Sequence, residues 1–333
     1  MRKSIGSTHS KIQNLLIENQ KCIINTDIDG ILTGLMLQNH LNWEAVGFCD
    51  SKDTIWIKPG SIEKIEDVIF LDIYVAHPNL KCIDQHIVAK DSNHGLHLAN
   101  NPNKQNPNLE RLRYASPNAR DKSAYAWKYP FGTVHYIIAC LEALGHNISV
   151  NRDDSIINGV NTFDLILRAD DAARTTARNY RENALDWWDW LKELGGSQTK
   201  EIAEYCSALD YSYTQESYDT LTRVFRREYG CHTNDGNFSK RLKQNNCTID
   251  GNINRYIKDV AESLNIPRLN LNRQYTAYNG EFLLEATYNT EAVNSILERN
   301  DLFSYAYTYC MGRLAAKGFS YTLWPPNGIP FEN

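Results

Sequence analysis

The chain has 333 residues, with 35 Lys plus Arg against 40 Asp plus Glu, a formal charge of −5. That balance supplies no global basic field to draw it onto nucleic acid or an anionic membrane, so a polyanion has to be held by a local patch or through metal. Eight cysteines without any C-x-x-C argue for reduced thiols and against a zinc ribbon or disulfide framework.

The length allows a sizeable core and favours two domains over one. The start, Met1-Arg2-Lys3, is basic but continues into polar residues rather than an apolar signal region, and no later run reaches membrane-spanning length. These features predict a cytoplasmic protein with no membrane partner.

Residues 11–19 read as a short helical lead-in with Ile12, Leu15 and Leu16 on one side. The run from Cys22 to Asn25 is too short for a helix and is followed by Asp27-Ile28-Asp29-Gly30, after which the apolar spacing turns helical to about Leu41. This predicts strand, acidic turn, helix. Further short apolar runs follow at 44–49, 67–75 and 80–86, the third containing Asp72 and the fourth ending Asp84-Gln85-His86. Three of the four runs end in an acid. If those strands are parallel neighbours, their carboxyl ends bring Asp27, Asp29, Asp72 and Asp84 with His86 into one crevice. Oxygen ligands with one imidazole suit manganese or magnesium. Taken singly, each Asp also fits an ordinary helix cap or turn.

The Asn-rich stretch 100–108 reads as a surface loop, and residues 131–145 as an amphipathic helix with a glycine stop, His135 being a packing or surface residue. His94-x-x-His97 has helical metal spacing but no third ligand nearby. The apolar stretch 161–171 ends in Asp170-Asp171, one of which is expected to complete the acidic cluster. Arg111, Arg113 and Arg120, together with Arg168 and Arg174, are candidate phosphate contacts because guanidinium binds phosphate bidentately. Trp187, Trp188 and Trp190 are expected to pack between the two halves, with base stacking as the alternative.

From Gly195-Gly196 onward the pattern becomes helical at 199–210, 215–229, 238–244 and 254–265. Residues 274–278 and 281–288 flank Asn279-Gly280 and predict a hairpin with a type I′ turn. Residues 291–299 and 305–315 read as helical, and 319–324 as a late strand. The resulting division is an α/β unit over 1–195, a helical connecting segment over 196–268 and a small α+β unit over 269–333.

The acids, in this order, resemble the motifs of the DHH phosphoesterase superfamily across roughly the first half of the chain. D-x-D-G falls on Asp27, Asp29 and Gly30, the lone acid on Asp72, the Asp-His-His motif on Asp84-Gln85-His86 with glutamine in the middle, and the fourth motif on Asp170 in preference to Asp171. The resemblance implies a doubly wound, mainly parallel sheet holding two Mn2+ ions, Mg2+ being the alternative, with Asp27, Asp29, Asp72, Asp84 and Asp170 as ligands. It further implies that Asp84, His86 and Asp29 serve hydrolysis of a phosphodiester in a nucleotide, short oligonucleotide or single-strand end. Glutamine can neither shuttle a proton at neutral pH nor ligate a metal well. The family's C-terminal Gly-Gly-Gly-His motif is also missing after residue 196. Two other expectations therefore stand beside hydrolysis: a degenerate module that binds nucleic acid or a protein partner, and a small-molecule phosphatase such as a pyrophosphatase. A homodimer is compatible with all of these.

Overall fold

The computed structural model describes residues 5–324 apart from 117–121, 123, 158, 179, 286–289, 311 and 312. Helix α1 (Ile5–Leu15) leads into β1 (Lys21–Asn25), α2 (Ile28–Leu41), β2 (Glu44–Cys49), β3 (Thr54–Ile57), β4 (Val68–Leu71), β5 (Lys81–Ile83), α3 (Ser92–Ala99) and β6 (Lys104–Gln105). With β7 (Thr276–Asn279) these strands form one seven-stranded sheet in the order β6-β5-β4-β1-β2-β3-β7.

Strands β6, β5, β4, β1 and β2 are parallel, while β3 and β7 add antiparallel partners at one edge. Among the parallel strands the order changes direction at β1, with β2 on one side and β4 on the other. In open α/β sheets that is where ligands bind, outside the carboxyl ends of the strands. The apolar run of β1 follows from burial on both faces: Cys22 and Ile24 enter one core and Ile23 the other.

The first core lies under α2 and the helices of the second half. These are α5 (Thr133–Ala143), α6 (Thr162–Leu167), α7 (Ala172–Ala177), α8 (Arg181–Leu194), α9 (Ser197–Ala208), α10 (Tyr211–Arg223), α11 (Ser239–Gln244) and α12 (Gly251–Ser263), while the short α4 (Pro107–Glu110) sends Leu109 into the core on the other face. A π-helical turn, Val224–Glu228, follows α10. Trp187 and Trp188 are fully enclosed here, Trp188 stacking on Phe131 at 4.0 Å and Trp187 meeting Tyr129 edge-on at 5.2 Å. Both indoles are spent on packing and cannot stack bases.

The opposite face is covered by β8 (Glu281–Glu285), α13 (Thr290–Leu297), β9 (Leu302–Cys310) and β10 (Arg313–Leu323), the strands forming a second antiparallel sheet ordered β8-β10-β9. Phe303 packs on Phe70 at 5.5 Å and Tyr305 on Tyr74 at 5.2 Å, so this sheet rests on the large one.

Three sequence expectations are corrected, the first being the Asn-rich stretch 100–108, where residues 104–108 are buried in β6 and the start of α4 rather than lying in a surface loop. The segments flanking Asn279-Gly280 do not pair as a hairpin: β7 joins the large sheet beside β3, whereas β8 pairs with β10. The unpaired edge of β3 captures β7, and Gly280 donates its N–H to the Asp53 carbonyl at 2.6 Å. A Cβ at Gly280 would lie 2.8 Å from the Leu323 carbonyl oxygen, so glycine serves close approach here rather than a left-handed turn. Within 305–315, the described residues are strand rather than helix, 305–310 in β9 and 313–315 in β10. Phe303, Tyr305 and Tyr307 are buried at every second position, the period of a strand.

Candidate metal centre

The first acids lie where β1 turns into α2. Asp27 has extended backbone and accepts the Gly30 N–H at 3.1 Å, so it is the N-cap of α2 while its side chain lines the crevice. Gly30 is required because a Cβ there would lie 2.2 Å from the Asn25 carbonyl oxygen. Asp29, one half-turn on, accepts the N–H of Thr133 at 2.6 Å and of Val134 at 2.8 Å. It thereby caps α5 across space, since Gly132 offers no side chain to do so.

Asp72 follows β4 with φ of 61°, in the left-handed region that Asp tolerates better than most residues. Its carboxylate accepts the Asn25 side-chain amide at 2.9 Å and the Thr133 hydroxyl at 3.0 Å. Asp84, past the end of β5, accepts the His86 N–H at 2.9 Å and the Asn106 amide at 3.0 Å, and its other oxygen lies 2.6 Å from His86 Nδ1. Ligand atoms of Asp72, Asp84 and His86 lie within 4.8 Å of one another. At the α6–α7 junction Asp170 (φ 50°) and Asp171 (φ 53°) diverge. Asp170 accepts from the Gln85 side-chain amide, whereas Asp171 pairs with Arg168 and stands 3.8 Å from Arg174. Asp170 therefore adds its charge to those of Asp27, Asp29 and Asp72, whereas Asp171 is engaged by arginine.

Asp27, Asp29, Asp72, Asp170 and Asp171 line a cavity of about 480 Å³, and Asp84 and His86 stand beside Asp72. Its roof comes from the helical half. Ile28 N–H donates to the Asp235 carbonyl at 3.0 Å, Phe238 N–H to the Thr26 carbonyl at 3.0 Å, and the Thr26 hydroxyl to Asn237 Oδ1 at 3.1 Å. This brings the Asp235 side chain to the cavity as a further acid. The sequence reading missed it, because Asn234-Asp235-Gly236 carries only a turn signal.

Burial, then Asp235 and Asp29, push the Asp27 carboxyl well above the usual carboxylate range. Burial, then the charges of Asp29 and Asp27, do the same to Asp72. Asp29 is pushed up to about 6 by burial and the charge of Asp170, against the opposing N–H donors of α5. For His86 burial opposes protonation, but the Asp84 carboxylate outweighs it and raises the imidazole. Crowded like charges of this kind are relieved by a divalent cation. The donor set, carboxylate oxygens with one imidazole, fits Mn2+ or Mg2+ rather than a thiolate-seeking metal. Gln85 leaves its own Oε1 buried without a protein partner.

Of the candidate phosphate contacts, Arg168 lines the cavity, with Nη2 donating to the Asn234 carbonyl at 2.6 Å and its guanidinium 4.5 Å over the Tyr218 ring. The Arg174 guanidinium lies 4.1 Å from the same Tyr218 ring. Arg111 pairs with Asp186 at 2.7 Å and lies 4.3 Å over Trp187, and Arg113 is 5.4 Å from the same indole, so neither faces the acids. Arg120 lies outside the described residues. His94 accepts the Lys90 N–H at 3.3 Å, and among the described residues the ligand cluster includes neither His94 nor His97. His135 is buried against Phe131 and Trp188, a packing residue as expected.

No protein-family model matches the chain, no curated protein matches it, and no solved structure matches it.

Proposed function

We propose that the chain is a manganese-dependent phosphoesterase of the DHH type, acting on a phosphodiester in a nucleotide, short oligonucleotide or single-strand end. The observation that carries this reading is convergence: acids at the ends of β1, β4 and β5, and at the α6–α7 junction, meet at the point where the sheet order changes direction. Asp27, Asp29, Asp72, Asp84 and Asp170 would hold the metal, with His86 beside them. A bound metal pair would supply an ionised water and neutralise charge on the phosphoryl oxygens.

The chain's own residues do the rest. Asn25, Thr133 and Asn106 hold the carboxylates in orientation through the bonds given above, so little reorganisation accompanies substrate binding. Asp84 bonds His86 Nδ1 and so leaves Nε2 to meet a phosphoryl oxygen or a leaving group. Arg168, though paired with Asp171, is the guanidinium nearest to hand for a nonbridging oxygen.

The test is metal content by elemental analysis together with hydrolysis of a dinucleotide, bis(p-nitrophenyl) phosphate and pyrophosphate in Mn2+. Asp84→Ala should abolish metal-stimulated turnover, and a variant as active as wild type would remove the assignment. One observation favours a second reading, a binding module without turnover: Gln85 stands in place of an imidazole and donates to Asp170. Manganese at full occupancy with turnover of any of these substrates dismisses it.

A further inference from the structure

Asp170 is shared by two cavities. On one side lie the other acids; on the other is a separate cavity of about 210 Å³ walled by Tyr125, Lys128, Pro130, Thr175, Tyr180 and Asn183. The phosphoesterase reading makes no use of it. Its walls set Tyr125, Tyr180 and Pro130 beside polar and charged side chains, and one lining residue carries an acceptor with no donor. Asn183 is 4% exposed, and its amide nitrogen donates to the Lys128 carbonyl at 2.8 Å, which fixes which end of the amide is which. Its Oδ1 is left without a protein partner. A buried acceptor left unsatisfied is costly, and a ligand that brings an N–H recovers that cost.

Lys128 adds a positive charge to the wall of the second cavity. Its ammonium lies 5.6 Å over the Tyr125 ring. A cation there attracts an anion entering this cavity, while the Tyr180 ring in its wall offers a surface to whatever is attached to that anion. The volume is below the roughly 300–1,000 Å³ of sites for larger ligands, and suits one flat ring system.

We infer that this second cavity is a nucleobase subsite: a base with an N–H edge lies on Tyr180 against Asn183, with its 5′-phosphate passing Lys128 toward Asp170. The assignment rests on the phosphoesterase reading for the fate of the phosphate, and it deepens that reading by favouring a nucleotide over inorganic pyrophosphate.

The experiment is calorimetric titration of the full chain with AMP, CMP, GMP and UMP, with ribose 5-phosphate as the baseless control, each with and without Mn2+. Two variants act in opposite ways on the cavity, Thr175→Phe filling it and Tyr180→Ala removing a wall, and circular dichroism checks that each folds. At least one nucleotide should bind tenfold or more tightly than ribose 5-phosphate, and each folded variant should lose at least tenfold in that affinity. Equal binding of nucleotides and ribose 5-phosphate by wild type overturns the inference, as do variants that bind nucleotide like wild type. Nucleotide binding that is lost in the variants, in a protein that takes up no manganese, would uphold the subsite and defeat the hydrolase reading instead.

Discussion

The carboxylate of Asp29 closes the first turn of a helix more than a hundred residues away, with one oxygen 2.6 Å from the Thr133 nitrogen and the other 2.8 Å from that of Val134. The same side chain thus orients a proposed metal ligand and ties α2 to α5. Removing a cap costs roughly 1 kcal/mol. Asp29→Ala should therefore lose turnover and be less stable to urea than Asp29→Asn, which keeps one acceptor for α5. Equal stability of the two variants would show that the cap contributes nothing.

Gly132 sits at the same junction with an ordinary φ of −69°, so its requirement is space and not backbone freedom. A Cβ would lie 2.6 Å from the Ala169 Cβ and 2.8 Å from Asp29 Cγ. Gly132→Ala should destabilise the fold by about 1–3 kcal/mol, the usual penalty of overpacking, and shift Asp29 enough to depress turnover. Thermal melts and steady-state kinetics on the same preparation read both effects.

Gln85 holds Asp170 through its side-chain amide and is itself buried. Orienting partners of metal ligands typically account for about 10–100-fold in metal affinity. Gln85→Leu is expected to weaken Mn2+ binding within that range, measured by the disappearance of the free-ion signal in electron paramagnetic resonance. Unchanged affinity would mean that Asp170 needs no support from this amide.

His135 is enclosed between Phe131 and Trp188, and burial lowers its pKa from an ordinary 6.5 to about 4. Between those values the unfolded chain binds the proton and the folded chain does not. Stability is therefore fully present above pH 6.5 and falls as the pH drops toward 4, by up to roughly 3 kcal/mol. Urea unfolding at pH 7 and pH 4.5 should show a smaller loss in His135→Leu than in wild type.

Metal binding should also register as stability. A ligand that binds only the folded state at a hundred times its dissociation constant adds about 2.7 kcal/mol. Chelation of a manganese-loaded sample should lower the melting temperature accordingly, and the shift should vanish in Asp84→Ala.

The sequence by itself determined the acid positions and the strands that carry them. Asp27, Asp29, Asp72 and Asp84 were legible because burial on both faces forces short apolar runs in β1, β4 and β5, and chemistry in such sheets gathers where those runs stop. The pairing of β7 with β3 was not legible. An Asn-Gly pair carries the same local signal whether its flanking strands join each other or separate sheets, and the open edge of β3 that decides the matter lies over two hundred residues away. The aromatic alternation of β9 was misread as helical for a related reason, since short apolar runs fit either period until a sheet is there to receive them. Asp235 and Asn183 were hidden more deeply. Nothing local distinguishes an aspartate in a surface turn from one folded over a crevice, or an asparagine on a helix from one whose oxygen has lost its partner. Only the packed chain, by placing the helical half over the ends of the strands, set which polar atoms are buried together and which are left unpaired.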